Sequence, residues 1–184
     1  YSKAALFVAA FLGLSMAIAG ESQYLSMDEF VDQSFTAAST PVTVSSYWLN
    51  DADKAAAKTI LGHAFRGIRL RYWHPEGDVT RTAWTINEIG KERPITIGVL
   101  IENDKVAAVD ILAFRESRGW EVRYPFFTDQ FNDQALKADE RYNLTGNVDN
   151  ITGATLSVRA VKRAVLWALY LHQQVNNANL QTTL

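Results

Sequence analysis

The chain has 184 residues, 48% hydrophobic and 21% charged, with a net charge of −2 at pH 7. That length and composition describe one globular domain with room for a core, and the balanced charge offers no basic field for nucleic acid. Cysteine is absent, which excludes disulfides, thiolate nucleophiles, iron–sulfur ligation and thioether-linked haem.

The first element in chain order is an uncharged run from Ala4 to Gly20, preceded by Lys3. As a helix it spans about 25 Å, slightly under a hydrocarbon core of roughly 30 Å. Residues 1–20 therefore read as an N-terminal hydrophobic helix, either a retained membrane anchor or a signal peptide, and the rest of the chain is expected outside the cytoplasm. Ser26-Met27-Asp28-Glu29 has the form of a capping box and opens a short helix through Phe35. Val42 to Trp48 begins with the alternation of a strand, and Asn50 can cap a helix over Asp51–Leu61 that stops at Gly62. The segments Gly67–His74, Val79–Ile89, Ile95–Glu102 and Lys105–Phe114 are rich in β-branched and aromatic residues, with short turn-forming separators. Such spacing predicts antiparallel hairpins. Arg115 to Asn150 is irregular, with one short helix expected near Asp129–Ala138. Val158, Val161, Val165, Ala168, Leu169 and His172 then fall on one stripe of a final amphipathic helix. The fold class that results is α+β, an antiparallel sheet packed with helices.

Chemistry concentrates in the loop before that last helix, Asp149-Asn150-Ile151-Thr152-Gly153-Ala154-Thr155-Leu156-Ser157. It presents three hydroxyls, a glycine and an alanine at a helix N-terminus, where free backbone N–H groups and the helix dipole favour a phosphate. On residue chemistry alone an ordinary Thr or Ser cap is the better account of it. Arg159, Lys162 and Arg163 sit in the first two turns, where the dipole disfavours cations by about 0.3–1 kcal/mol each. A bound phosphodiester or an acidic partner would offset that, and a solvated basic face is the alternative. His63, His74 and His172 are scattered without metal-ligand spacing, so no metal site is expected. No catalytic constellation is recognisable either.

The stretch from Asp149 to Ser157 resembles the flavinylation motif D-x-x-[ST]-G-A-T-x-[ST] of the FMN-binding domain family, which includes the NqrC and RnfG subunits of bacterial ion-pumping redox complexes. The resemblance implies that residues 21–184 are an FMN-binding domain and that Thr155 carries FMN covalently through its phosphate. Asp149, Thr152, Gly153, Ala154 and Ser157 match the surrounding pattern. Glu116-Ser117-Arg118-Gly119 stands where relatives carry a Glu-Thr-Pro-Gly segment against the flavin, with Ser117 and Arg118 replacing the usual Thr and Pro. Phe127-Thr128-Asp129-Gln130-Phe131 resembles the aromatic-x-x-Gln-Phe that comes next in relatives, and Trp120 is the tryptophan expected nearest the flavin. The implied modifying enzyme is a flavin transferase of the ApbE type, which uses FAD and releases AMP. The implied partners are membrane redox proteins or cytochromes, on the periplasmic side of the bacterial inner membrane. In this reading the chain is an electron carrier and not a stand-alone enzyme. A flavin-dependent reductase of a small acceptor, and a binding module of the same fold without flavin, are the alternatives.

Overall fold

The computed structural model describes residues 22–137 and 142–182. The expected N-terminal helix over residues 1–20 lies outside the described residues, and among those described no helix is long and apolar enough to cross a membrane. The elements in order are β1 (Ser22–Gln23), α1 (Met27–Ser34), β2 (Val42–Trp48), α2 (Asp51–Leu61), β3 (Arg69–Pro75), β4 (Arg81–Ile89), β5 (Pro94–Glu102), β6 (Lys105–Phe114), α3 (Pro125–Thr128) and α4 (Thr155–Thr182). Short 3-10 turns at Trp120–Arg123 and Asp129–Phe131 flank α3.

All six strands form one antiparallel sheet in the order β1-β6-β5-β4-β3-β2. Consecutive strands from β3 to β6 are neighbours because their connections are short, and β2 pairs with β3 although α2 lies between them in the chain. Asn103 and Asp104 both adopt positive φ, 52° and 62°, which suits the two-residue turn between β5 and β6. Both capping boxes form. Ser26 accepts from Glu29 N–H at 3.1 Å, and Asn50 accepts from Asp53 N–H at 2.9 Å, each with the reciprocal bond. Such a cap contributes about 1 kcal/mol.

The pleat sends Ile95, Ile97, Val99 and Ile101 of β5, all fully buried, to the face covered by α2 and α4. Leu100 and Leu112 belong to a smaller cluster on the other face, where Phe30 and Phe35 close it. The six residues of the α4 stripe are at most 1% exposed. The buried surface of α4 is wider than the stripe, because Ala160, Ala164, Trp167, Tyr170 and Leu171 are buried too. Phe65, Tyr142, Leu144 and Val148 pack on that outer side.

Two buried polar groups tie α4 into the fold. Asp53, 1% exposed, accepts from Tyr47 OH at 3.0 Å, Tyr170 OH at 2.9 Å and Asn50 N–H at 2.9 Å, joining β2, α2 and α4. Burial and this carboxylate push the Tyr47 hydroxyl up to about 12. His172 is fully buried against Thr82, whose hydroxyl accepts from Trp84 Nε1 at 2.8 Å and is hydrogen-bonded to His172 Nδ1 at 2.7 Å. Burial holds the imidazole down at about 4, well below its usual 6.5, against the opposing pull of Asp104.

The helix expected over Asp129–Ala138 is corrected. Helical turns occupy Trp120–Phe131 instead, with Pro125 at the first helical position of α3. The chain then breaks at Asp133, φ 61°, and turns so that Val106 N–H donates to Gln134 O at 2.8 Å. Pairing with β6 outcompetes helix continuation there.

Candidate functional site

The start of α4 is built by a tight turn. Ala154 N–H donates to Ile151 O at 2.9 Å, Gly153 adopts φ 83°, and Val158 N–H makes the first helical bond to Ala154 O at 2.9 Å. Ala154 holds the capping position but has no side-chain oxygen to offer. The N–H groups of Thr155, Leu156 and Ser157 have no acceptor within the helix, so the positive end of the dipole remains open to an anion. Thr155 is exposed, while Ser157 is 4% exposed.

The second wall descends from β6. Gly119 is buried with φ 88°, and a Cβ there would collide with Ser157 Oγ and stand 3.4 Å from Ala154 Cβ. Glycine therefore serves two needs at this position, a left-handed backbone and close apposition of the Glu116–Gly119 loop to the helix start. Gly153 serves only the first, since a Cβ there meets no atom within 4 Å.

The third wall is the β4–β5 turn. Glu116 Oε1 accepts from the backbone N–H groups of Lys91, Glu92 and Arg93 at 2.5, 2.6 and 2.9 Å. Burial alone would raise this carboxyl, but the three donors and the Lys91 ammonium outweigh it and hold the group below its ordinary range. Glu116 thus fastens the loop to the turn and brings Lys91 to the same cavity. Lys91 remains largely exposed, with its Nζ 3.2 Å from Glu92 Oε1.

Between these walls lies a pocket of about 600 Å³ lined by Lys91, Glu116, Ser117, Arg118 and the five residues Gly153 to Ser157. Two cations and the helix start face it, and its one carboxylate is occupied by backbone donors. It therefore favours an anionic ligand, and its volume suits a cofactor-sized one.

Of the residues read from sequence, Glu116, Ser117, Arg118, Gly153, Ala154, Thr155 and Ser157 line this pocket, with Gly119 as its backing. Asp149 and Thr152 stand on the loop leading into α4, outside the pocket lining. Asp149 N–H donates to Gln130 Oε1 at 2.8 Å, and Gln130 Nε2 donates to Phe126 O at 2.9 Å. Phe127 and Phe131 are fully buried edge to face, 5.5 Å apart. The aromatic-x-x-Gln-Phe segment thereby anchors the loop before the helix. Trp120 is 42% exposed and does not line the pocket.

The basic residues of α4 divide otherwise than expected. Lys162 Nζ donates to Val148 O at 2.6 Å, and Arg163 lies 3.7 Å from Glu88, which also meets His63 at 3.1 Å. These two cations bind protein groups, and Arg159 is exposed. Lys91 was missed in sequence because it belongs to a turn 64 positions before Thr155, with no local pattern of its own.

Residues 90–170 match the family model described as an FMN-binding domain, and no curated protein matches the chain. The matched span contains every residue lining the pocket. The resemblance drawn from the Asp149–Ser157 motif is borne out at the level of this family.

Proposed function

Taking residues 90–170 as an FMN-binding domain, we propose that the chain is an exported electron-transfer flavoprotein with FMN joined through its phosphate to Thr155. The observation that carries this reading is that the Thr155 side chain shares one pocket with the open helix start, Lys91 and Arg118. A phosphate there meets backbone donors and positive charge, and the hydroxyl that would esterify it is at hand. When bound, FMN supplies one- and two-electron transfer. The chain's own residues do the holding. The amides at the start of α4 and Lys91 receive the phosphate, Gly119 keeps the loop wall against Ser157, and Glu116 fixes the turn that presents Lys91.

Attachment requires a transferase of the ApbE type. In that step Thr155 Oγ1 forms a bond to the flavin-side phosphorus of FAD, the pyrophosphate bond breaks, and AMP leaves while the hydroxyl proton is released. Electron donor and acceptor are membrane redox proteins or cytochromes, and residues 4–20 hold the domain on the periplasmic face of the inner membrane. Co-expression with a transferase and a denaturing gel together test the covalent link. A flavin-fluorescent band at the mass of the chain is expected, and a dark band would overturn it. Carbonate washing of native membranes tests the anchor, which full release into the soluble fraction would contradict.

A further inference from the structure

Four large aromatic side chains stand exposed together beside the pocket. Tyr24 is 37% exposed, Trp120 42%, Tyr124 38% and Phe126 60%. Trp120 and Tyr124 meet edge to face with ring centres 5.6 Å apart, and Phe126 lies 6.3 Å from Tyr124. The Arg123 guanidinium sits over three of these rings, 4.5 Å from Tyr24, 4.9 Å from Tyr124 and 5.3 Å from Trp120. One contiguous patch results, contributed by the segment after β1 and by the turns around α3. A contiguous exposed patch of this kind marks an interaction surface.

We infer that this patch is a membrane-interface surface that rests in the headgroup layer of the bilayer. Composition is the first argument. Trp, Tyr and Phe around an arginine are the side chains that settle at the boundary between lipid and water, rings toward the acyl chains and cation toward the phosphates. Placement is the second. The uncharged run of the sequence ends at Gly20, four positions before Tyr24, so whatever path the chain takes the two are at most about 14 Å apart. Ser22 and Gln23 are already fixed on the sheet edge by pairing with Phe114 and Ala113. A bilayer that takes up residues 4–20 therefore brings its headgroup layer to this edge. This inference rests on the anchoring reading above. Its consequence is orientation: Arg118 lines the pocket and Trp120, two positions on, begins the patch, so the pocket is held at the membrane surface with its redox partners.

The chain has no cysteine, so a single one can be introduced and labelled. Phe126→Cys places a nitrobenzoxadiazole label in the patch. Ile68→Cys places it at an exposed site just before β3, near the opposite edge of the sheet. Each full-length protein is reconstituted into phosphatidylethanolamine–phosphatidylglycerol vesicles carrying a doxyl lipid and recovered by flotation. A blue shift and loss of emission at position 126, with neither at position 68, is the result expected. Flotation with no greater quenching at 126 than at 68 overturns the inference and leaves the anchor standing. Failure to float overturns both. A concentration-dependent blue shift at 126 in detergent, unchanged by vesicles, overturns it by assigning the patch to contacts between copies of the chain.

Discussion

Adding one methyl group at Gly119 tests how the pocket is assembled. Gly119, Gly153 and Gly77 all have positive φ of nearly the same size, 88°, 83° and 77°. A non-glycine residue in this left-handed region costs roughly 1–2 kcal/mol, so alanine at any of the three loses about that much. At Gly77 and Gly153 nothing lies within 4 Å of the new Cβ. At Gly119 the methyl also collides with Ser157 Oγ and approaches Ala154 Cβ, and overpacking of that kind adds about 1–3 kcal/mol. Gly119→Ala is therefore expected to destabilise by about 2–5 kcal/mol if the loop stays seated, or by less if the loop lifts off α4. In either case flavin loading falls. Urea unfolding of the three unflavinylated variants, paired with flavin content after co-expression with the transferase, distinguishes these effects. Gly77→Ala should load normally. Equal stability and equal loading in the Gly119 and Gly77 variants would refute the close apposition of loop and helix.

Three further outcomes rest on the same geometry. His172 is held at about 4 in the fold and titrates near 6.5 when unfolded, so the unfolded chain binds the extra proton between these values. Its contribution is fully present above pH 6.5 and fades as pH falls toward 4, a loss of roughly 3 kcal/mol across the window; urea midpoints of wild type and His172→Gln should converge in acid, and parallel pH slopes would count against it. Asp53→Ala leaves the hydroxyls of Tyr47 and Tyr170 without their acceptor and removes half of a capping box, so a loss of about 2–5 kcal/mol in unfolding free energy is expected. Arg118→Gln removes a cation from the pocket, which should lower the flavin midpoint by some tens of millivolts; an unchanged spectroelectrochemical midpoint would make Arg118 a surface charge.

Much of the fold was legible because it is written locally. The Ser26 capping box, the Asn50 cap, the Gly62 stop and the strand positions depend on side chains within a few residues of one another. The two-residue β1 was not, since Ser22 and Gln23 are strand only through pairing with residues some ninety positions away. The turns around α3 were misplaced for a related reason. Asp129 to Gln134 looks helical by composition, but the Val106 backbone claims Asp133 and Gln134. At the site, Thr155 and its neighbours were visible through the motif's resemblance, whereas the work of Gly119 and Lys91 depends on three separate chain segments meeting. Ala154 illustrates the difference. In the sequence it is only one matching position of the motif, while the structure buries it, 3% exposed, against Gly119.

The central claim is that Thr155 carries the flavin, and mapping the modified residue tests it most directly. Protein co-expressed with the transferase is digested, and its peptides are sequenced by tandem mass spectrometry. One peptide should gain FMN less one water, with the added mass on Thr155. Thr155→Ala should lose it entirely, and Thr152→Ala, changed outside the pocket lining, only in part. Covalent flavin on Thr152 or Ser157, or retained in the Thr155→Ala protein, would contradict the account.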